Sequence, residues 1–470
     1  MNRKVKAEFS EKLKPYIGSL KPIQVNLKEH KSLLLLITTG FLLYIAFVIF
    51  VVISRLNRST LVFEVLYFVP FITYCLVIFT IKKYRLYDSY NFLKVIFIFV
   101  VLFQLLILST AISLSDDIYR FYMEGKAIIS GINPYSTPIE DFPAYLKDDF
   151  SDKVNNADIT SPYPPFALLI FAFIYLIGQD PIIFRLTFSI SFLISILVCD
   201  RLIPYDEKWK LVIYSWNPLI HIEIANGSHF ESIIILVVIL SILSIHSNHS
   251  TTAGTLFLFA SLLKYYPFFL VLLYWNKLDK KGKMICILGF SLYLIYILVD
   301  PEVISGVISY ANDFYFNAFF LWVLSELTQN FNLAKVILGI IFITILVVLL
   351  MKSDRTLSEA SRNASIILGL LILFQPSFHP WYFLWLFPFI LINRKTPYSW
   401  ILLSGFLILS YHVYITYDVT QEWNELILIR LLEFIPFFLL LLIQYRRNLT
   451  QMIKDLRYKK NKEEIIEQLI

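Results

Sequence analysis

The sequence predicts an all-α polytopic membrane protein with roughly 11–14 transmembrane helices, and three observations predict it. Hydrophobic residues make up 58% of the chain and charged ones 16%, with a mean hydropathy of +0.68; soluble domains carry about 25% charged residues. Apolar runs near twenty residues recur along the chain, each long enough for a hydrocarbon core of ~30 Å. The runs do not alternate with period two, as barrel strands of about ten residues would. A helix is the remaining open-chain way to satisfy backbone polar groups in lipid. By length alone 470 residues would hold about two or three soluble domains. The hydropathy argues instead for one membrane-embedded unit at 32–445, between basic tails at 1–31 and 446–470.

The candidate spans fall at about 32–53, 60–81, 93–114, 164–178, 181–199, 211–225, 229–245, 252–274, 284–299, 333–351, 364–378, 381–393, 399–415 and 425–445. The tail 1–31 is lysine-rich, and the apolar run after it is too long for a signal h-region, so no cleavable signal peptide is expected. Basic residues orient the spans. With fourteen crossings the tails, Lys82, Lys83 and Arg85, the loops 277–283 and 352–362, and Arg394 with Lys395 all fall on the cytoplasmic side. Both termini are then cytoplasmic; Arg55 and Arg58 in the first loop are the main dissent. Cys75, Cys199 and Cys286 lie in or beside apolar runs, so no disulfide framework is expected. The net charge of +6 belongs to loops and tails, and nothing resembles a nucleic-acid module.

The same count places 115–162 outside. That loop holds Asp116, Asp117, Glu124, Glu140, Asp141, Asp148, Asp149, Asp152 and Asp158 against Arg120, Lys126, Lys147 and Lys153. A second outer loop, at about 300–332, contains the amphipathic stretch YANDFYFNAFF. There is no internal repeat.

Chemistry concentrates in five places. The first is SDDIYRFYMEGKAIISGINPY at 115–135, where Asp117, Arg120, Phe121 and Glu124 share one helical face beside Asp116. A carboxylate at the lip of a membrane cavity can take a proton from an attacking hydroxyl; a capped interfacial helix is the plainer reading. The second is SPYPPF at 161–166, an ordinary proline start to a helix with an interfacial Tyr163. The third is a polar break holding Asn217, His221, Glu223, Asn226, His229 and Glu231. Ionisable groups at membrane depth are costly and line cavities. Strict alternation puts this break on the cytoplasmic side, a re-entrant pair puts it at the outer cavity, and charge does not decide. The fourth is Lys264, mid-span in LLKYYPFFL, which snorkels or faces an anion. The fifth is the hairpin QPSFHPWY at 375–382, where His379 binds phosphate, relays a proton, or sits in an aromatic belt.

These segments, in this order over about 93–393, resemble the GT-C superfamily of polyprenyl-phosphate-sugar-dependent glycosyltransferases. The likeness is strongest to bacterial mannosyltransferases of the DUF2029 and related groups that use polyprenol-phosphate mannose. The matching positions are Asp117-Ile118-Tyr119-Arg120-Phe121, Gly131-Ile132-Asn133-Pro134-Tyr135, Tyr163-Pro164-Pro165, Trp216-Asn217-Pro218, Asn226-Gly227-Ser228-His229, Lys264-Tyr265-Tyr266-Pro267 and His379-Pro380-Trp381-Tyr382. Phe121 replaces the more usual Tyr, Ser228 intervenes before the histidine, and Phe230-Glu231 replaces Asn-Asp. The resemblance implies a GT-C-like fold in a bacterial inner membrane, a lipid-facing groove, and a single-displacement inverting transfer of a hexose, mannose by default, on the outer face. Asp117 is then the base, with Asp116 as alternative. Arg120, Lys264 and His379 are the candidates for the donor phosphate. Asn133, Tyr135, Tyr163, Asn217, His229, Glu231 and Tyr382 are the candidates for sugar or acceptor contacts. The partners are a polyprenyl-phosphate sugar, membrane lipids, and a glycolipid, glycan or protein acceptor. No cofactor is expected. Asp116 and Asp117 are where a divalent ion would sit, but no metal-ligand cluster surrounds them. Two other readings compete. A transporter or flippase would show matching halves with paired broken helices. An O-antigen polymerase or ligase would carry its main outer loop later in the chain.

Overall fold

The computed structural model describes residues 27–57, 59–352, 356–393 and 397–446. The tails 1–26 and 447–470, Arg58 and the pair Arg394 and Lys395 lie outside the described residues. Within them every element is helical, apart from one isolated bridge between Phe316 and Ser377. Eight helices are long and apolar enough to cross a membrane, and five shorter apolar helices of 10–17 residues accompany them. The protein is an all-α polytopic membrane protein.

Helix α1 (Leu27–Asn57), α2 (Thr60–Lys83) and α3 (Phe92–Leu108) run antiparallel in turn. Ser59 caps α2 by accepting from Val62 N. Arg55 near the end of α1 donates to Ser109 at the end of α3, so both ends meet at one end of the bundle. Next come α4 (Asp117–Ile129), α5 (Pro165–Ile177) and α6 (Pro181–Leu202). Pro165 and Pro181 sit in the first turns of their helices, where a missing N–H costs nothing.

The α5 segment does not cross, contrary to the expected span 164–178. Its thirteen residues reach only ~20 Å at 1.5 Å per residue. It lies along α4, with Gly125 so close that a Cβ there would stand 2.6 Å from Phe171 O. Both its ends stay near the site: Phe166 N donates to Leu262 O (3.1 Å), and beyond its far end Arg185 donates to Ala225 O (3.0 Å) and Thr110 O (3.1 Å). Helix α6 therefore leaves the Asp117 end of the bundle and ends at the opposite one. There Lys82 lies over Trp209 (4.3 Å), Lys208 pairs with Asp200 (2.6 Å), and Lys210 donates to Asn393 O.

From that basic end α7 (Leu211–Ser215) and α8 (Pro218–Ala225) climb back, bent at Trp216 and Asn217. The bend is locked. Trp216 Nε1 donates to Ile96 O (3.2 Å). Asn217 Oδ1 accepts from Leu219 N (2.9 Å), while its Nδ2 donates to Ser404 Oγ (2.9 Å) and Tyr74 OH (3.2 Å). Helix α9 (Glu231–His246) returns to the basic end. The expected single span 252–274 is two legs, α10 (Ser250–Ser261) and α11 (Pro267–Tyr274), with Lys264 at the break. Both outer ends of this pair sit at the basic end, where Thr251 donates to Asp279 (2.5 Å). Pro267 explains the break, because it cannot continue a helix from the preceding turn.

Helix α12 (Lys280–Val299) climbs, α13 (Ser305–Asp313) and α14 (Phe319–Thr328) cover the site end, and α15 (Phe331–Met351) descends. Helix α16 (Leu357–Phe374), started by a Thr356–Glu359 capping box, climbs again. A 3-10 turn at Pro380–Leu386 and α17 (Phe387–Ile392) descend. Last come α18 (Tyr398–Phe406), a 3-10 segment Leu407–His412, α19 (Val413–Thr420) and α20 (Ile427–Arg446). Ser399 N donates to Gln444 Oε1 (3.0 Å), which fixes the end of α20 at the basic end. One continuous buried apolar cluster runs from Leu36 to Phe437.

Candidate functional site

Helix α4 brings the two expected carboxylates to the site end. Asp116 occupies the N-cap position but its side chain makes no cap; it accepts from Asn155 Nδ2 instead. Asp117 opens the helix, and its side chain keeps 23% exposure with Oδ2 3.6 Å from His229 Nδ1. Burial pushes its carboxyl up to about 7; Asp116 and Glu231 add to the rise, and Lys264 and Arg120 oppose it. Asp116 is raised as well, mainly by burial.

The polar break supplies the next group. Its open placement resolves here: His229 and Glu231 lie at the Asp117 end. Asn226 Nδ2 donates to Thr110 Oγ1 (2.9 Å) and Ala111 O (2.7 Å), tying the break to the end of α3. Ser228 is left-handed (φ +59°), so the chain turns sharply and His229 N reaches Glu223 O (3.1 Å). The imidazole stacks on Trp381 at 3.8 Å, and its Nε2 stands 3.5 Å from Glu223 Oε2. Glu223 accepts from Tyr411 OH at 2.9 and 3.1 Å.

Lys264 faces the same place. Its Nζ pairs with Glu231 and is walled by the rings of Tyr382 (4.7 Å), Phe230 (5.1 Å) and Trp385 (5.3 Å). The rings leave the ammonium few water contacts, and of its three donors Glu231 takes one. Tyr382 OH lies 3.0 Å from Tyr310 OH on α13, so the second outer loop closes over the lysine. His379 stacks between Phe316 (4.7 Å) and Trp381 (4.3 Å). The hairpin is held by Phe378 N to Phe316 O (2.7 Å) and Phe316 N to Pro376 O (3.0 Å).

The other expected residues build the walls. Arg120 is 5% exposed and donates to Glu124 (3.3 Å), Ile159 O (3.1 Å) and Asn155 O (3.0 Å). Its guanidinium thus folds the 155–159 loop back onto α4, which is not the donor-phosphate position expected for it. Glu124 also accepts from Ser161 Oγ (3.1 Å), and burial pushes its carboxyl up to about 7. Asn133 Oδ1 accepts from Tyr135 N (3.0 Å), and Tyr135 OH donates to Tyr163 O (2.8 Å), so these two brace the turn after α4. Tyr163 packs edge-on against Phe121 (5.5 Å) and Phe230 (5.6 Å) below Asp117. Asn217 is fully buried in the α7–α8 bend and stands apart from the Asp117 cluster.

Sequence reasoning missed Glu223, Trp381, Tyr310 and Tyr411 as site groups. Glu223 and Trp381 lay inside segments singled out for their polarity or aromaticity. Tyr411 bonds a residue 188 positions away, and no local pattern signals that.

The arrangement sets a carboxylate of near-neutral pKa opposite a caged ammonium, with a clamped imidazole beside them. That suits removing a proton from a hydroxyl next to an anionic leaving group. Among the described residues no group of three or more His, Cys, Asp or Glu is placed to hold a metal ion.

Two family models match the chain in order. The alpha-(1->6)-mannopyranosyltransferase N-terminal-domain model covers residues 43–276, and the MptB C-terminal-domain model covers 315–441. No curated protein and no solved structure matches.

Proposed function

The chain belongs to the alpha-(1->6)-mannopyranosyltransferase family and is a membrane glycosyltransferase, and from that premise we propose a donor, a base and a side of the membrane. The donor is a polyprenyl-phosphate mannose and the acceptor a glycan or glycolipid hydroxyl. Asp117 is the general base. The reading rests on one observation above all: the Asp117 carboxyl, pushed up to about 7, lies 3.6 Å from His229 Nδ1 and near enough for the charge of the ring-walled Lys264 to act on it.

Asp117 takes the acceptor proton as the oxygen attacks the anomeric carbon, and the bond to the lipid phosphate breaks with its electron pair on the phosphate. A phosphate is a good leaving group, so a cation suffices where other leaving groups need an acid. Lys264 supplies that charge. Single displacement inverts the anomeric carbon, so an alpha product requires a beta-linked donor. Tyr382 and Tyr163 border the sugar position, and no metal or other cofactor enters a step. Basic side chains gather at the end opposite Asp117, which supports an outward-facing site with that end cytoplasmic.

The test incubates purified protein with a panel of polyprenyl-phosphate sugars and with nucleotide sugars. Release of polyprenyl phosphate from the mannose donor alone is expected. Turnover of a nucleotide sugar instead, or Asp117→Asn at the wild-type rate, would overturn the reading.

A further inference from the structure

Both ring nitrogens of His229 face carboxylates. Nδ1 lies 3.6 Å from Asp117 Oδ2, and Nε2 lies 3.5 Å from Glu223 Oε2. The ring has no room to swing. Trp381 stacks on one face at 3.8 Å, and a Cβ on Gly227 would stand 2.9 Å from His229 Cδ2 and Nε2. The backbone is held too, through His229 N to Glu223 O and the left-handed Ser228. His229 and Glu223 are 1% and 0% exposed, and among the described residues the His229 Nε2 makes no hydrogen bond.

We propose that His229 is a positioning residue and proton relay acting through Asp117, with Glu223 as the terminal proton site. This rests on the reading of Asp117 as the base. His229 starts as the Nε2–H tautomer, with its proton toward Glu223 and an unprotonated Nδ1 toward Asp117. The acceptor hydroxyl gives its proton to Asp117 while the anomeric carbon exchanges lipid phosphate oxygen for acceptor oxygen. Asp117 then passes that proton to Nδ1, and the imidazolium gives its Nε2 proton to Glu223 Oε2. Once the products leave, the path runs back: Glu223 returns the proton to Nε2, and Nδ1 gives its own to Asp117, whose 23% exposed side chain releases it to water. No electron leaves or enters, and Asp117 is again a carboxylate. The charged groups around the ring favour passage over retention. Lys264 and His379 face it from the α10–α11 break and the 375–382 hairpin, and Lys264 repels a lasting positive charge there. Tyr411 OH donates to Glu223 and can turn to the other oxygen when one is protonated. Contacts of 3.5–3.6 Å are long for hydrogen bonds, as such contacts often are before substrate draws a site together.

The test compares wild type, His229→Gln, Glu223→Gln and the double variant in transfer from polyprenyl-phosphate mannose. Each single variant is expected to lower kcat at least tenfold with the donor KM within about twofold. Each is also expected to raise the solvent deuterium isotope effect on kcat, because proton release from Asp117 becomes limiting. The double variant should be no slower than His229→Gln, since links of one relay are not additive. A structural role would predict multiplied losses and an unchanged isotope effect, and that result overturns the relay. So does either single variant at wild-type kcat. If His229→Gln does not fold, Glu223→Gln with its isotope effect decides alone. Full activity of Asp117→Asn is the separate result that removes the base itself.

Discussion

At the residue scale Asp117 carries the most specific expectations. Its carboxyl is raised to about 7, so below that pH the base is protonated and kcat/KM falls about tenfold per unit of pH; above it the rate levels off. Asp117→Asn removes the base and should abolish transfer while membrane insertion persists, measured by sugar transfer against folded protein on size exclusion. Asp116 is the largest charge raising Asp117, so Asp116→Asn should move the acid limb to lower pH and leave substantial turnover. If Asp116→Asn is instead the inactive variant, the base is Asp116. Lys264→Met keeps the stem but removes the charge, and should raise the donor KM at least tenfold with a smaller effect on the acceptor KM. Lys264 and His229 stand out in the sequence because ionisable groups at membrane depth need a reason, Asp117 because it stands at the start of the acidic outer loop, and Tyr382 through the HPWY resemblance; the structure gathers the four in one cluster. Arg120 is a phosphate candidate in the sequence because a guanidinium suits a bidentate phosphate contact; here carbonyls of 155–159, thirty-five or more residues away, are its partners, and no local pattern signals that.

At the element scale, the α4–α5 pair is what the hydropathy misjudged. Twelve apolar residues following two prolines read as a short span, because a helix pressed against protein and one pressed against lipid use the same side chains. The signal that distinguishes them is Gly125, and it lies in the partner helix. A Cβ there meets backbone, Phe171 O and C, at 2.6 and 2.7 Å, so neither side can yield by changing a rotamer. Gly125→Ala should therefore separate α4 from α5 and cost about 1–3 kcal/mol, the usual range for overpacking. The expected readout is a lower Tm in detergent together with reduced kcat, since Asp117 rides on the displaced helix. An unchanged Tm would mean that the two helices are not in register as described. The α10–α11 break was half legible: Lys264 and Pro267 marked the position, but not that the chain reverses there.

At the scale of the whole molecule these two misjudgements cancel. Strict alternation of fourteen spans counts α5 as a crossing and 252–274 as one. The structure makes α5 a surface helix and 252–274 a pair of legs, so the alternation before residue 164 and after 277 is unchanged. Between those limits the chain is inverted. The loop after α6, including Tyr205 at 63% exposure, sits at the basic end with Lys82, Lys208 and Lys210. Alternation would put it with Tyr145 in the acidic loop, which is 72% exposed. Three single-cysteine variants in a background without Cys75, Cys199 and Cys286 separate the two: Tyr90→Cys, Tyr145→Cys and Tyr205→Cys. Tyr90 is 77% exposed in the basic loop after α2 and serves as the reference. With a membrane-impermeant maleimide on intact cells, Tyr145→Cys should label and the other two should label only after lysis. Labelling of Tyr205→Cys together with Tyr145→Cys would restore α5 as a crossing. It would also carry His229 away from Asp117, because the α7–α8 segment that delivers the histidine starts from that loop.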